Sequence, residues 1–477
     1  MRLSKYFLTL LFAACAGWAF GQQNDTLSLQ KCLEIAVQNN LQVKQTGLTM
    51  ESARINYLQS KENLLPSISG NVSRQLSQGR NINPVTNTYV NQSLTSDNYG
   101  VAGSLVLFNG LALQNAIKQA SLAYQAGKMD FQAAKDVVTI NIITNYLLVL
   151  DNQEVLAQSR SQLAVAKENV QRSETLEKSG ANKIASDLSD FRGALAGSQV
   201  AVVNSQNALN ASRLSLFQLM NIPYSPNAGF QPLNAQDLVG QYGISPEQVY
   251  TTALQQLAAI KAATLRRESA EKGVKVAQGL LLPSLAVNGG LSTNYSNTGQ
   301  RSVFTDSTTN PTNAFINTPG GGRQTVYSTQ ANFASQKISY GDQFKNNYGT
   351  YLSVGLNIPI FTNYIKRNNI AQAKINLQSY QNIEENTKIR LRQDVEQAYY
   401  NMTAAYNKYQ ALSEQVSAYT ESFRISKIRF DAGVLTSVDF IISKNNLDAA
   451  NLNLITARYD YFIYSKILDY YQGKLSL

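Results

Sequence analysis

Two stretches of this 477-residue chain, 109–178 and 362–431, run for 70 residues each without a proline. In the second, large residues recur at Val395, Tyr399, Met402, Tyr406, Tyr409, Leu412, Val416, Tyr419 and Phe423. Their mean step is about 3.5 residues, the spacing of a coiled-coil seam, and small residues between them let helices approach closely. At 1.5 Å per residue each helix would be about 105 Å long, far more than a globular domain spans. Rods of this length must lie side by side in a long bundle.

The rods belong to a duplicated plan. Aligning Pro66 with Pro283 matches Ser28–Asn71 to Ser245–Asn288 without a gap, with thirteen of 44 positions identical, where chance gives about three. Further on, Asn98-Tyr99-Gly100 echoes Asn347-Tyr348-Gly349, and Gly180 echoes Gly433. We therefore divide the chain into residues 1–21, a first repeat 22–220, a linker 221–245 and a second repeat 246–477. Each repeat reads short helix, strand, loop, strand, very long helix, glycine turn, short helix. The expected elements are 28–64, 66–76, 97–107, 109–178 and 183–220, then 246–282, 284–294, 348–360, 362–431 and 436–472. Two short helices end to end give about 114 Å, matching one long helix.

The strands alternate. Leu352, Val354, Leu356, Ile358 and Ile360 oppose Ser353, Gly355 and Asn357, and Ile68 and Val72 oppose Ser67, Ser69 and Asn71. About ten residues with one apolar and one polar face suit a tilted strand of a water-filled transmembrane barrel. Pro66 and Pro283 end a helix and force the next residues to be extended, marking helix-to-strand junctions. The strand-to-strand segments 78–97 and 297–346 read as loops; Gly320-Gly321-Gly322 lacks the flanking strand and Lys-Ser/Thr of a phosphate cradle, so a flexible loop is expected there. Tyr99, Tyr295, Tyr348 and Tyr351 are candidates for an aromatic girdle.

The first 21 residues read as an export signal: Arg2 and Lys5, the apolar run Tyr6 to Ala14, then Ala19-Phe20-Gly21 before a mature Gln22. Phe12-Ala13-Ala14-Cys15 is an imperfect lipoprotein box, so lipidation at Cys15 is the alternative processing route. Beyond that segment no run of roughly 18 apolar residues is apparent. Cleavage would lower the net charge from +10 to +8 and remove Trp18, leaving Cys32 as the sole cysteine and no internal disulfide. The chain has no histidine. That excludes Ser-His and Cys-His nucleophiles and histidine metal sites, and no enzyme activity or cofactor is expected. The modest charge forms no Lys/Arg cluster, which argues against a nucleic-acid partner.

Four strands per chain cannot close a barrel, and open edges are not tolerated in lipid. Three chains would supply twelve. At this point the chain resembles the TolC family of outer-membrane efflux ducts: the tandem duplication, Leu-Leu-Pro before a strand, Leu107-Phe108-Asn109-Gly110 at a strand-to-helix junction, and Gly180 and Gly433 each followed by an aspartate. The resemblance, with the strand geometry, implies a mixed α and β membrane protein, a homotrimeric twelve-stranded β-barrel continuous with a long α-helical coiled-coil barrel. It implies an outer-membrane and periplasmic location, a periplasmic adaptor (membrane fusion) protein, an inner-membrane RND or ABC transporter, and export of small molecules or polypeptides.

Gate residues should lie at the far helical end. Asp187, Asp190 and Asp439 would repeat as rings in a trimer, able to select cations and narrow a pore; acids in a first helical turn are equally favoured by the helix dipole. The resemblance makes Asp439 an entrance aspartate and Asp187 a link between neighbouring helices. Phe430 and Leu435 replace a tyrosine and an arginine that some members use in closing links, and Ile442 replaces a second aspartate. Gly180 and Gly433 are expected as left-handed turn residues, and with Leu435 they mark tips for adaptor docking. The rival reading is a secreted or surface coiled-coil scaffold with no transport activity.

Overall fold

The structure is a computed structural model that describes residues 26–82, 87–179, 186–233 and 242–474. In chain order the elements are β1 (Thr26–Leu27), α1 (Leu29–Asn39), α2 (Leu41–Glu62), β2 (Ser67–Ser77), β3 (Arg80–Ile82), β4 (Tyr89–Asn91), β5 (Leu94–Asn109), α3 (Ala112–Lys178), α4 (Ser186–Met220), β6 (Gly229–Phe230), α5 (Pro246–Gln256), α6 (Ala258–Gly279), β7 (Ser284–Ser296), β8 (Gln300–Asn317), β9 (Arg323–Lys337), α7 (Tyr340–Asn346), β10 (Gly349–Asn357), α8 (Ile365–Asp431) and α9 (Ser437–Tyr471). They form two compact units. A helical unit takes Met1–Asn56, Gln119–Glu271 and Ile375–Leu477; a β unit takes Tyr57–Lys118 and Lys272–Lys374. Each unit draws on both halves of the sequence.

In the helical unit α3 and α8 are 67 residues each, and α4 and α9 are 35 each. The seam periodicity is realised in two main cores. In one, Ile142, Tyr146, Leu147 and Val149 of α3 are fully buried with Cys32 and Ala36 of α1 and Leu216 and Met220 of α4. The other joins Val395 and Met402 of α8, Val249 and Ala253 of α5, and Tyr461 and Leu468 of α9. Contrary to the sequence reading, a window of α3 is apolar enough to cross a membrane. Ile142, Tyr146, Leu147 and Val149 of this stretch fill the first core, while Val137 and Leu148 are 48% and 40% exposed. Residues of the 221–245 segment return to this core: Gly229–Phe230 pairs in parallel with Thr26–Leu27. The Tyr146 hydroxyl lies 2.7 Å from the Gln231 carbonyl and 3.0 Å from that of Leu27.

The expected single helices 28–64 and 246–282 are each broken once. Asn40 is extended (φ −62°, ψ 123°), and its Oδ1 accepts from the amides of Gln42 at 2.9 Å and Val43 at 3.1 Å, so it caps α2. Leu257 is likewise extended (φ −65°, ψ 129°) and packs into the second core. Neither break carries a proline or glycine; the capping residue Asn40 was the one local sign at the first, and Leu257 gives none at the second.

In the β unit, β10, β7, β5 and β2 form one antiparallel sheet in that order. The register places Ile68, Val72, Val101, Val287, Leu291, Leu352, Val354 and Leu356 on one face, and Ser67, Ser69, Asn71, Asn288, Ser292 and Ser353 on the other. The apolar face is bare: Ile68 is 73%, Val72 75% and Leu352 78% exposed. Among the described residues neither edge strand, β2 nor β10, has a second partner. Ile358 and Ile360 fall beyond β10, which ends at Asn357 ahead of Pro359.

Pro66 and Pro283 stand between helix and strand. Before them the last helical turn tightens into i→i+3 bonds, Leu65 N to Glu62 O at 2.8 Å and Leu282 N to Gly279 O at 3.0 Å. Gly110, φ +68°, meets the second of these junctions so closely that a Cβ there would lie 2.1 Å from the Gly279 carbonyl oxygen.

The two expected loops are largely strand. Within 78–97, β3 pairs with β4 and β5 already begins at Leu94. Residues 300–337 form a long β8–β9 hairpin, which the Ser/Thr/Asn composition and the bulges after Phe304 and Pro311 disguise. Helix α7 then anchors its base. Gln343 is 3% exposed and bonds the Ser296 amide and carbonyl at 2.9 Å and the Ile338 carbonyl at 3.1 Å. Tyr99 and Tyr295 pack against Phe344 and Tyr340 of α7, while Tyr348 and Tyr351 are exposed.

Candidate functional site at the helical tips

The turn from α8 into α9 is built from the backbone outward. Val434 N bonds Arg429 O at 2.9 Å and Gly433 N bonds Phe430 O at 3.0 Å, with Gly433 at φ +73°. This pair of bonds is a Schellman motif and requires the left-handed residue that only glycine supplies without strain. Thr436 then caps α9: its hydroxyl accepts from the Asp439 amide at 3.2 Å and donates to Asp439 Oδ2 at 2.8 Å. Asp439 is exposed, and its carboxylate is engaged in the helix cap. Asp187 lies in the first turn of α4 and is half-buried. Asp190, one turn further, accepts from the Ser437 hydroxyl at 2.9 Å, tying the start of α4 to the start of α9. Gly180 and Cys15 lie outside the described residues.

Beneath these acids sits a small apolar core. Val170 of α3, Leu188 and Phe191 of α4 and Phe440 of α9 are buried, with Phe423 and Phe430 of α8 and Leu435 packed on them. Phe430 stacks on Phe440 at 4.7 Å and 24°, and Phe191 meets both rings edge-on at 5.7 and 6.2 Å. Phe430 and Leu435 thus pack on this core within the chain, both remaining partly exposed. Two ion pairs flank the core: Arg172–Asp431 at 2.6 Å joins α3 to α8, and Arg192–Glu174 at 2.9 Å joins α4 to α3. All four side chains are more than a third exposed, so each pair is worth about 0–1 kcal/mol and the rings carry the tip.

Sequence reasoning missed the apolar surface beside Asp439. Val434 is 68% exposed, and Val438 and Ile442, one turn apart on α9, are 51% and 52% exposed. The i, i+4, i+8 spacing was readable, but it belongs to no seam, so only the folded exposure distinguishes it. The described residues hold no cluster of acids or cysteine suited to a metal ion.

The outer membrane efflux protein family matches residues 32–221 and 327–470. The CmeC outer membrane channel of Campylobacter jejuni is 17% identical, covers 95% of this chain and 86% of its own, and superimposes with a TM-score of 0.74. The outer membrane protein VceC of Vibrio cholerae is 13% identical over 93% of this chain and 96% of its own, TM-score 0.74. The MtrE outer membrane channel of Neisseria gonorrhoeae is 18% identical over 94% and 89%, TM-score 0.70. At these identities the structures speak for the fold alone. No curated protein matches the chain. The family match spans well over half the sequence, and the chain belongs to the outer membrane efflux protein family, whose members are channels rather than enzymes.

Proposed function

We propose that three copies of this chain close a twelve-stranded barrel in the outer membrane and extend a helical cylinder into the periplasm, forming the exit duct of a tripartite efflux or type I secretion system. The observation that carries the reading is the four-stranded sheet with two open edges and one bare apolar face. In lipid such edges must be paired, and sister copies offer the same edges in complementary order. Residues 1–21 serve as the export signal, and 22–220 and 246–477 are the two repeats that build one wall.

The tips are the periplasmic entrance. Asp187, Asp190 and Asp439 line it as acids, and Val434, Val438 and Ile442 add an apolar constriction of the kind that gates by dewetting. The turns at Gly180 and Gly433, with Leu435, take the periplasmic adaptor, which links the duct to an inner-membrane RND or ABC transporter. The cargo is small toxic molecules or polypeptides, passed without chemistry.

The test is particle mass in detergent combined with conductance in planar bilayers. Three chains per particle and cation-selective channels are expected, with selectivity reduced in Asp439→Ala and Asp187→Ala. A one-chain particle without conductance removes the duct; unchanged selectivity in both variants removes the acids from the gate.

A further inference from the structure

The β8–β9 hairpin has two unlike faces. Register and contacts place Phe304, Phe315, Tyr327 and Phe333 together on one: Phe304 meets Phe333 at 6.0 Å, Thr309 meets Thr329 at 3.1 Å, and Arg323 lies 4.3 Å over Phe315. The middle of the other face is polar, with Asn332 Nδ2 donating to Asp306 at 2.9 Å and Arg301 Nη2 to Gln336 at 2.8 Å, and exposed Val303 and Ile316 lie toward its two ends. The four rings are 57%, 47%, 62% and 61% exposed. A two-stranded ribbon alone is marginal in water, yet this one is 18 and 15 residues long and firmly mounted on buried Gln343.

We propose that the aromatic face of each hairpin packs against the hairpins of sister copies, above the barrel they share. The proposal rests on the trimeric reading above. Three observations select a second copy as occupant. The hairpin springs from β7, the strand next to the open edge β10, so it continues the surface where copies must join. At about 200 Å² per ring, the half-exposed aromatics offer roughly 450 Å² per copy. Shared between two neighbours, that is roughly 450 Å² at each contact, short of the ~1,200 Å² of a free-standing interface and in keeping with one that extends a seam the barrel already closes. Among the paired residues, charge on this face is confined to the two ends, Arg323 and Lys337, leaving an uncharged middle as interface cores require.

A benzophenone maleimide on single cysteines tests this in the full-length protein. Thr329→Cys places it on the aromatic face and Ser328→Cys on the opposite face of the same strand, both in a Cys15→Ser background; that background alone, with Cys32 fully buried, is the blank. The expected result is covalent dimers on illumination from Thr329→Cys, at least tenfold more than from Ser328→Cys. No dimers, or equal yields from both faces, in a particle of three chains overturn the proposal while leaving the trimer standing. A particle of one chain overturns both.

Discussion

Removing one ring should loosen the helical tip while sparing the rest of the helical unit. Phe440 is 3% exposed and touches the rings of Phe423, Phe430 and Phe191 at 5.5, 4.7 and 6.2 Å. A phenylalanine of about 200 Å² at about 25 cal/mol per Å² contributes ~5 kcal/mol, of which alanine keeps about 1. The expected cost of Phe440→Ala is therefore about 4 kcal/mol, inside the range for such truncations. Asp431→Asn, which breaks the half-exposed pair with Arg172, should cost ~0.5 kcal/mol. If the tip opens as a local unit, 4 kcal/mol makes opening on the order of a thousandfold more frequent. The two larger cores share none of these residues, so global melting should move little. Hydrogen exchange read on peptides across residues 425–445 is the assay. Loss of protection in Phe440→Ala but not Asp431→Asn is expected; equal loosening by both, or unchanged exchange in Phe440→Ala, would refute the claim that rings rather than charges hold the tip.

Two glycines with similar dihedrals should behave differently. Gly433→Ala meets open space at φ +73° and should cost about 1 kcal/mol, whereas Gly110→Ala adds a collision with the Gly279 backbone and should cost more than ~2 kcal/mol and impair folding of the barrel; yields of heat-modifiable protein compare them. In the helical unit, burial pushes the Asp151 carboxyl up to about 7, with the charges of Asp460 and Glu154 adding to it and Arg458 opposing, and its Oδ1 has no hydrogen-bond partner. The folded chain then keeps a proton that the unfolded chain releases near pH 4, so this group's contribution falls as pH rises from about 4 to 7 and is level above. Asp151→Asn should flatten that slope and be more stable at pH 8, by at most about 4 kcal/mol. Melting followed by circular dichroism from pH 4.5 to 8 checks it, and identical slopes would count against it.

The long helices were legible because one period governs each for its whole length and no proline interrupts it: expected at 109–178 and 362–431, they are found at Ala112–Lys178 and Ile365–Asp431. The sheet strands were legible for the same reason, a period of two with Ile68 and Val72 on one side and Ser69 and Asn71 on the other. The tip was legible only in its local chemistry. Gly433 and the Thr436–Asp439 cap depend on neighbours within a few residues, which a sequence displays. The bond from Ser437 to Asp190 and the pair Arg172–Asp431 join residues 247 and 259 positions apart, which no period connects.

What the sequence determined by itself, then, is whatever a single repeating spacing or a single junction dictates: rod length, strand alternation, and the proline boundaries where one becomes the other. Tertiary structure decided the break at Leu257, the order β10-β7-β5-β2, the ring cluster around Phe440 and the two-faced hairpin. Each of these depends on which distant surfaces meet. Burial and hydrogen bonding reward such meetings only once the chain has brought them together, so local propensity carries no record of them.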